Sequence, residues 1–200
     1  MGDELKVVNP QEVMAYGKRL NTNIDSITTE ANGLIADVTN VDYHGTNAFK
    51  LKTDANHMSE QFAKDLFQRV STLSSNVSKA TSSISGALGG HSVTIDLGNN
   101  SVTMLDPKPD DGIQIADPSA LTSLVATVQG RFERIRTAIN ATKNLPENSR
   151  TGWMGAARNT CEQTVGQFAS NAVTATNNAE QQLVNYLTKQ RDLVVESDVA

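Results

Sequence analysis

The side chains with chemistry to offer are three histidines, one cysteine, a short acidic run and a knot of arginines, so their spacing is the first test. His44, His57 and His91 share no zinc-ligand spacing, and no second cysteine stands beside Cys161. Cys161 lies in a helical pattern next to Glu162, where a thiol stays protonated and packs as a small apolar group. The run from Asp106 to Asp117 has carboxylates enough for a calcium loop, but Lys108 takes a ligand position and Asp111 stands where the loop turns on glycine. Arg131, Arg134 and Arg136 spread around a helix with Glu133 among them, the pattern of a solvated face. No nucleophile elbow, phosphate-binding glycine loop or dinucleotide fingerprint occurs. No carboxylate pair has the apolar flanks that raise a pKa for acid–base work. The expectation is a chain without catalytic residues, metal or cofactor.

Binding character concentrates at one place. Trp153, the only tryptophan, stands in Trp153-Met154-Gly155 and interrupts two long amphipathic patterns. Tyr43-His44-Gly45 interrupts two more, so the chain reads as one helical hairpin written twice. Two roles are open to the indole. It can plug the end of a helical bundle beneath the turn, with Gly155 there for backbone shape, or it can stay partly exposed as a docking point.

The elements that must hold these bends follow from periodicity. Asn9-Pro10 is a cap followed by a first-turn proline. From there Val13, Gly17, Leu20, Ile24, Ile27, Ala31, Leu34 and Val38 recur in steps of four and three, a heptad seam over about 10 to 40. A second helix from near Thr46 carries Phe49, Leu51, Ala55, Met58, Phe62, Leu66, Val70, Leu73, Val77, Ala80 and Ile84, and ends at Gly89-Gly90. Asp117-Pro118 repeats the first cap, and Leu121, Val125, Val128, Phe132, Ile135, Ile139 and Thr142 give a third seam. Pro146 stops it. The fourth helix carries Ala157, Cys161, Thr164, Phe168, Ala172, Ala175, Ala179, Leu183 and Tyr186, with Leu193 closing the seam and a fraying tail from Val195. Between the hairpins, His91 to Leu97 and Ser101 to Leu105 alternate apolar and polar around Gly98-Asn99-Asn100, which predicts a β-hairpin.

Single-stripe helices joined by short turns must run antiparallel and cover one another. The expected fold is therefore all-α: an antiparallel four-helix bundle of two tandem hairpins, 1–86 and 118–200, with an acidic linker and β-hairpin at 87–117. The two halves share one bundle as an intramolecular pseudo-dimer able to stand as a monomer. Aromatic content of only 4% suits narrow seams rather than a thick core. The net charge is −5, and no stretch is basic enough for nucleic acid. No run of 18 apolar residues is long enough to span a bilayer. The start Met1-Gly2-Asp3-Glu4 lacks the basic and apolar regions of a Sec signal, and Lys6 replaces the Ser or Thr of a myristoylation motif.

A helical hairpin of this size with Trp-x-Gly at its bend and no Sec signal resembles the WXG-motif early-secreted-antigen family, the substrates of bacterial type VII secretion systems. The motif stands as Trp153-Met154-Gly155, and Tyr43-His44-Gly45 is its counterpart in the first repeat. Family members pair as antiparallel hairpin dimers, so the resemblance implies a fused pair. The family's export signal adds Tyr-x-x-x-Asp/Glu after the second helix. Here Tyr186 is followed four places on by Gln190, and Asp192 comes two residues late, which implies that a partner supplies the acidic half.

The resemblance implies a secreted substrate, or an adaptor for a cognate effector, that is cytoplasmic before export without a Sec signal. Its implied partners are the secretion machinery, an effector or another WXG-type protein, and neither nucleic acid nor a membrane is among them. Trp153, Gly155, Tyr43 and Gly45 would form the recognised bends, with Tyr186 and Arg191 in the tail. A second reading is an intracellular interaction module that binds a partner through the central β-hairpin. The seam assignment itself is testable: Phe168→Ala should cost about 3–5 kcal/mol in urea denaturation, and a negligible loss would mean the seam is misplaced.

Overall fold

The computed structural model describes residues 9–44, 47–85, 93–98, 100–109, 117–145 and 153–197, with residues 83, 85 and 197 described by their backbone alone. Among the described residues the chain is all-α, with four helices: α1 (Pro10–Thr39), α2 (Ala48–Ser85), α3 (Pro118–Asn144) and α4 (Ala156–Ser197). The two proline-led helices start alike. Asn9 Oδ1 accepts the Gln11 N–H at 3.0 Å and Asp117 Oδ1 accepts the Ser119 N–H at 2.8 Å, each satisfying a first-turn donor that has no carbonyl partner. α4 stays helical through Ser197, so Val195, Glu196 and Ser197, expected in a fraying tail, are helical.

Contacts divide the chain into two compact units, and each draws on all four helices. The first takes Met1–Ile27, Leu66–Asn100 and Thr137–Val173; the second takes Thr28–Asp65, Ser101–Arg136 and Thr174–Ala200. The duplication is visible in burial. With Pro10 aligned on Pro118, Val13, Leu20, Ile24, Ile27, Ala31 and Leu34 match Leu121, Val128, Phe132, Ile135, Ile139 and Thr142, and all are buried. With Tyr43 aligned on Trp153, Leu51, Ala55, Phe62, Leu66, Leu73 and Val77 match Cys161, Val165, Ala172, Thr176, Leu183 and Leu187, buried in both copies.

The seam read for the fourth helix drifts by one residue in places. Val165, Thr176 and Leu187 are buried where Thr164, Ala175 and Tyr186 were expected to be. A helix of 3.6 residues per turn rotates its stripe against a strict heptad, which moves the inner position on to the next residue. Phe49 and Leu193, placed on seams by spacing, are 45% and 50% exposed near helix ends.

In the second unit Phe62 of α2 and Phe132 of α3 pack with ring centroids 5.3 Å apart, and ion pairs tie the helices around them. Arg131 of α3 reaches α1, giving Nη1 to Glu30 Oε2 at 2.8 Å and Nε to Asp37 Oδ2 at 2.7 Å, while Arg134 Nε meets Glu30 Oε2 at 2.9 Å. Gly33 makes this possible, because a Cβ there would stand 2.5 Å from Arg131 Nη1. Arg136 pairs with Glu180 of α4 and with Glu133 on its own helix. The arginines expected on a solvated face therefore work between helices. Their spread around α3 sends Arg131 and Arg136 in different directions, to α1 and to α4.

No strand occurs among the described residues of the middle segment, so the expected β-hairpin is not formed. Its first half alternates as expected, with Val93, Ile95 and Leu97 buried and Thr94, Asp96 and Gly98 exposed. The buried face lies on helices rather than beside a second strand: the Ile95 N–H is accepted by Thr81 Oγ1 of α2 at 3.2 Å, and Ile95 fills the space over Gly17 of α1. Ordering six residues costs about 1–2 kcal/mol each, and three aliphatic side chains return about 1.5–3 kcal/mol each. The two sums are of similar size. In the second unit, Asn32 donates from Nδ2 to Ser101 O at 3.1 Å and accepts the Thr103 N–H at 2.8 Å, as a neighbouring strand would. Asn56 Nδ2 donates to Leu105 O. Met104, expected on an apolar face, is 58% exposed.

Burial alone would raise the Glu30 carboxyl, but hydrogen bonds from Arg131 and Arg134 outweigh it and hold its pKa below the ordinary glutamate value. A depressed folded pKa gives stability that is complete above the unfolded-state value and lost as pH falls through the folded one. Glu30→Gln should therefore melt below the native chain at pH 7, with the gap narrowing as pH falls below the ordinary glutamate value of about 4.3. Circular-dichroism melts across that range would check it, and a gap independent of pH would remove the ion pair as its source.

Candidate functional site

The bend before α4 is built from the first unit alone. Gly155 has φ 119, a conformation that costs any side-chain-bearing residue, and its carbonyl accepts the Asn159 N–H at 3.1 Å to start the helix. Trp153 is then turned inward and is 1% exposed. Its indole meets the ring of Tyr16 on α1 edge-on, with centroids 5.4 Å apart and planes at 67°, a favoured arrangement for aromatic quadrupoles. Of the two roles left open for the indole, the geometry supports the plug. Met154, between the two motif residues, is 37% exposed and is what the turn offers outward.

The surroundings of this aromatic pair are electrostatically quiet. Tyr16 is buried, its hydroxyl has no hydrogen-bond partner among the described residues, and burial together with the charges of Cys161 and Glu162 pushes its pKa above the ordinary tyrosine value. Cys161 is buried and free, and burial pushes its thiol up to about 12. A thiol held protonated is neither a nucleophile nor a ready metal ligand. Arg158 and Glu162 pair one turn apart on α4 beside it. No group of three or more His, Cys, Asp or Glu residues converges as a metal site among the described residues.

The bend after α1 belongs to the second unit and is built differently. Tyr43 is buried, its N–H donates to Val41 O at 2.9 Å, and burial raises its phenol. His44 Nε2 and Asp42 Oδ1 are 2.8 Å apart at the rim. Gly45, the motif's second residue in this repeat, lies outside the described residues. An open cleft of about 440 Å³ runs beside this bend, lined by Asp37, Asn40 and Asp42 on one side and Ser123, Leu124 and Thr127 of α3 on the other. Leu124 is the repeat counterpart of Tyr16, so the second repeat has no ring at that station.

The tail residues part company. Tyr186 donates its hydroxyl to Asp54 Oδ2 of α2 at 2.8 Å, and Asp54 also receives Lys50 Nζ at 2.5 Å. The Lys50 hydrogen bond first, and then that of Tyr186, hold Asp54 below the ordinary aspartate value, while burial and the neighbouring carboxylate raise Tyr186. Arg191 folds back on Asp192, with Nη2 to Oδ1 at 2.6 Å. Tyr186 thus finds a carboxylate on another helix of the same chain. Sequence spacing did not single out Asp54 or the pairing of Tyr16 with Trp153. Tyr16 lies one place off the α1 heptad, on the edge of a stripe wider than a two-position seam.

No family model, curated protein or solved structure matches the chain.

Trp153→Ala should cost about 3–5 kcal/mol in urea denaturation, and Gly155→Ala about 1–3 kcal/mol through backbone strain. A tryptophan variant within about 1 kcal/mol of the native chain would show that the indole does not plug the first unit.

Proposed function

We propose that this chain is a non-enzymatic protein of the WXG type that works with a type VII secretion system, as an exported substrate or as an adaptor that escorts a cognate effector. The observation that carries the reading is the α3–α4 bend: a buried tryptophan and, two residues on, a glycine at φ 119 that opens a long amphipathic helix. That backbone is one other residues adopt only under strain, which accounts for both motif positions in physical terms. The duplicated hairpin supports the fused-pair aspect of the reading, since the matched positions of the two copies are buried alike.

On this reading the tryptophan and glycine shape the turn, and Met154 is the side chain a recognising protein touches. Tyr186 with Asp54 serves as the composite acidic element, supplied within the chain rather than by a partner. Export draws on a cytoplasmic pool, and the partners are proteins: the secretion machinery, an effector or another WXG-type chain. Among the described residues no helix is long and apolar enough to cross a membrane. Addition of a central strand to a partner is not retained, because that segment forms no strand among the described residues.

The test is made in the bacterium that produces the protein. The chain should reach the culture medium, and deletion of the secretion ATPase should remove it from there while cell-associated levels hold. Met154→Glu, an exposed change, should lower the exported amount without lowering melting temperature. Medium levels indifferent to the ATPase would end the export reading.

A further inference from the structure

Within the first unit, α1 and α2 form a groove that already binds an extended peptide, because a segment of the chain lies in it. Val93, Ile95 and Leu97 point in and are buried, while Thr94, Asp96 and Gly98 point out. The central side chain has a slot shaped for it: a Cβ at Gly17 would stand 2.9 Å from Ile95 Cγ1 and 3.2 Å from Cγ2. The central backbone is read as well. Thr81 donates its hydroxyl hydrogen to Val77 O at 2.8 Å and accepts the Ile95 N–H at 3.2 Å, which fixes the register of the occupant.

Alternate aliphatic side chains, a glycine-made slot and a hydroxyl turned to the middle N–H are the parts of a site specific for an extended peptide. The other side of the occupant is open: Phe67, Ser71, Ser75 and Ser78 of α2 line a cleft of about 360 Å³ next to Asp96 and Gly98.

The second hairpin lacks these parts. In repeat register Gly17 corresponds to Val125, Thr81 to Arg191 and Phe67 to Asn177. A slot, a backbone acceptor and an apolar wall are each replaced by a residue that cannot serve. The groove is therefore a particular property of α1 and α2 rather than a by-product of pairing two helices.

We propose that this groove is a site for an extended peptide, that residues 93–97 fill it in the free chain as a built-in occupant, and that an extended segment of a partner protein takes their place. The partner segment carries aliphatic side chains at three alternate positions, with a branched one in the middle. The resident segment is a replaceable ligand: its burial and its ordering cost are of similar size, and it forms no strand among the described residues. A partner segment that adds contacts of its own in the open cleft has the advantage.

The probe is a fluorescein-labelled synthetic peptide with the sequence of residues 91–100, titrated by anisotropy against the full chain. The variant Val93→Ser, Ile95→Ser, Leu97→Ser should bind it at least about tenfold more tightly than the native chain, because removing the occupant frees the site. Gly17→Val added to that variant should abolish binding. If the triple variant melts without cooperativity, the single Ile95→Ser variant carries the same comparison. Three results would overturn the proposal: no saturable binding to a cooperatively folded variant, binding that Gly17→Val leaves unchanged, or equal affinity for native and variant chains.

Discussion

Each helix here has an apolar stripe and nothing within itself to cover it. An isolated helix in water gains too little from its own hydrogen bonds to offset ordering, so stability comes from burying the stripe against neighbours. Each compact unit meets that demand with segments of all four helices. Trp153 and Tyr16 close the first unit with large rings, whereas Phe62 and Phe132 pack together in the second.

Burying a stripe does not decide which helices meet or in what register, since aliphatic contacts are nearly interchangeable. Polar groups supply that selectivity in the second unit. Arg131 fits only where Gly33 clears space between Glu30 and Asp37, which lie about two turns apart on α1. Arg136 fits only where Glu180 faces it, and Tyr186 only where Asp54 does. Partly exposed pairs of this kind add modest stability, but a shifted register would leave half-buried charges unpaired, at a larger cost.

The repeat is a shared inner pattern with different outer dress. The matched seam positions are buried in both hairpins, while positions beside the seam diverge. Where the first hairpin has Phe67 and Val70, the second has Asn177 and Glu180, and Glu180 answers Arg136. One face is finished with a strap of the chain's own aliphatic residues and the other with an ion pair. The bends diverge as well, with an indole against a tyrosine at one and a tyrosine beside an open cleft at the other. Function read from the duplication alone would treat the two ends as equivalent, and their chemistry is not.

Much of this was legible in one dimension. Proline-led caps at Asn9 and Asp117, apolar residues at steps of three and four, and the breaks at Tyr43 and Trp153 determine four helices in two hairpins, because capping and helical period are local properties of the chain. The alternation of Val93, Ile95 and Leu97 likewise determines an extended segment with one buried face. What buries that face was not determined, since period two reports only that alternate side chains are hidden. The tertiary structure chose helices as the cover, through a missing side chain at Gly17 and a hydroxyl at Thr81. It also decided that Trp153 faces Tyr16, that Tyr186 finds its carboxylate on α2, and that Arg131 belongs to α1. Each of these joins residues far apart in the chain, and such pairings depend on which helix faces come together, which no single helix's pattern specifies.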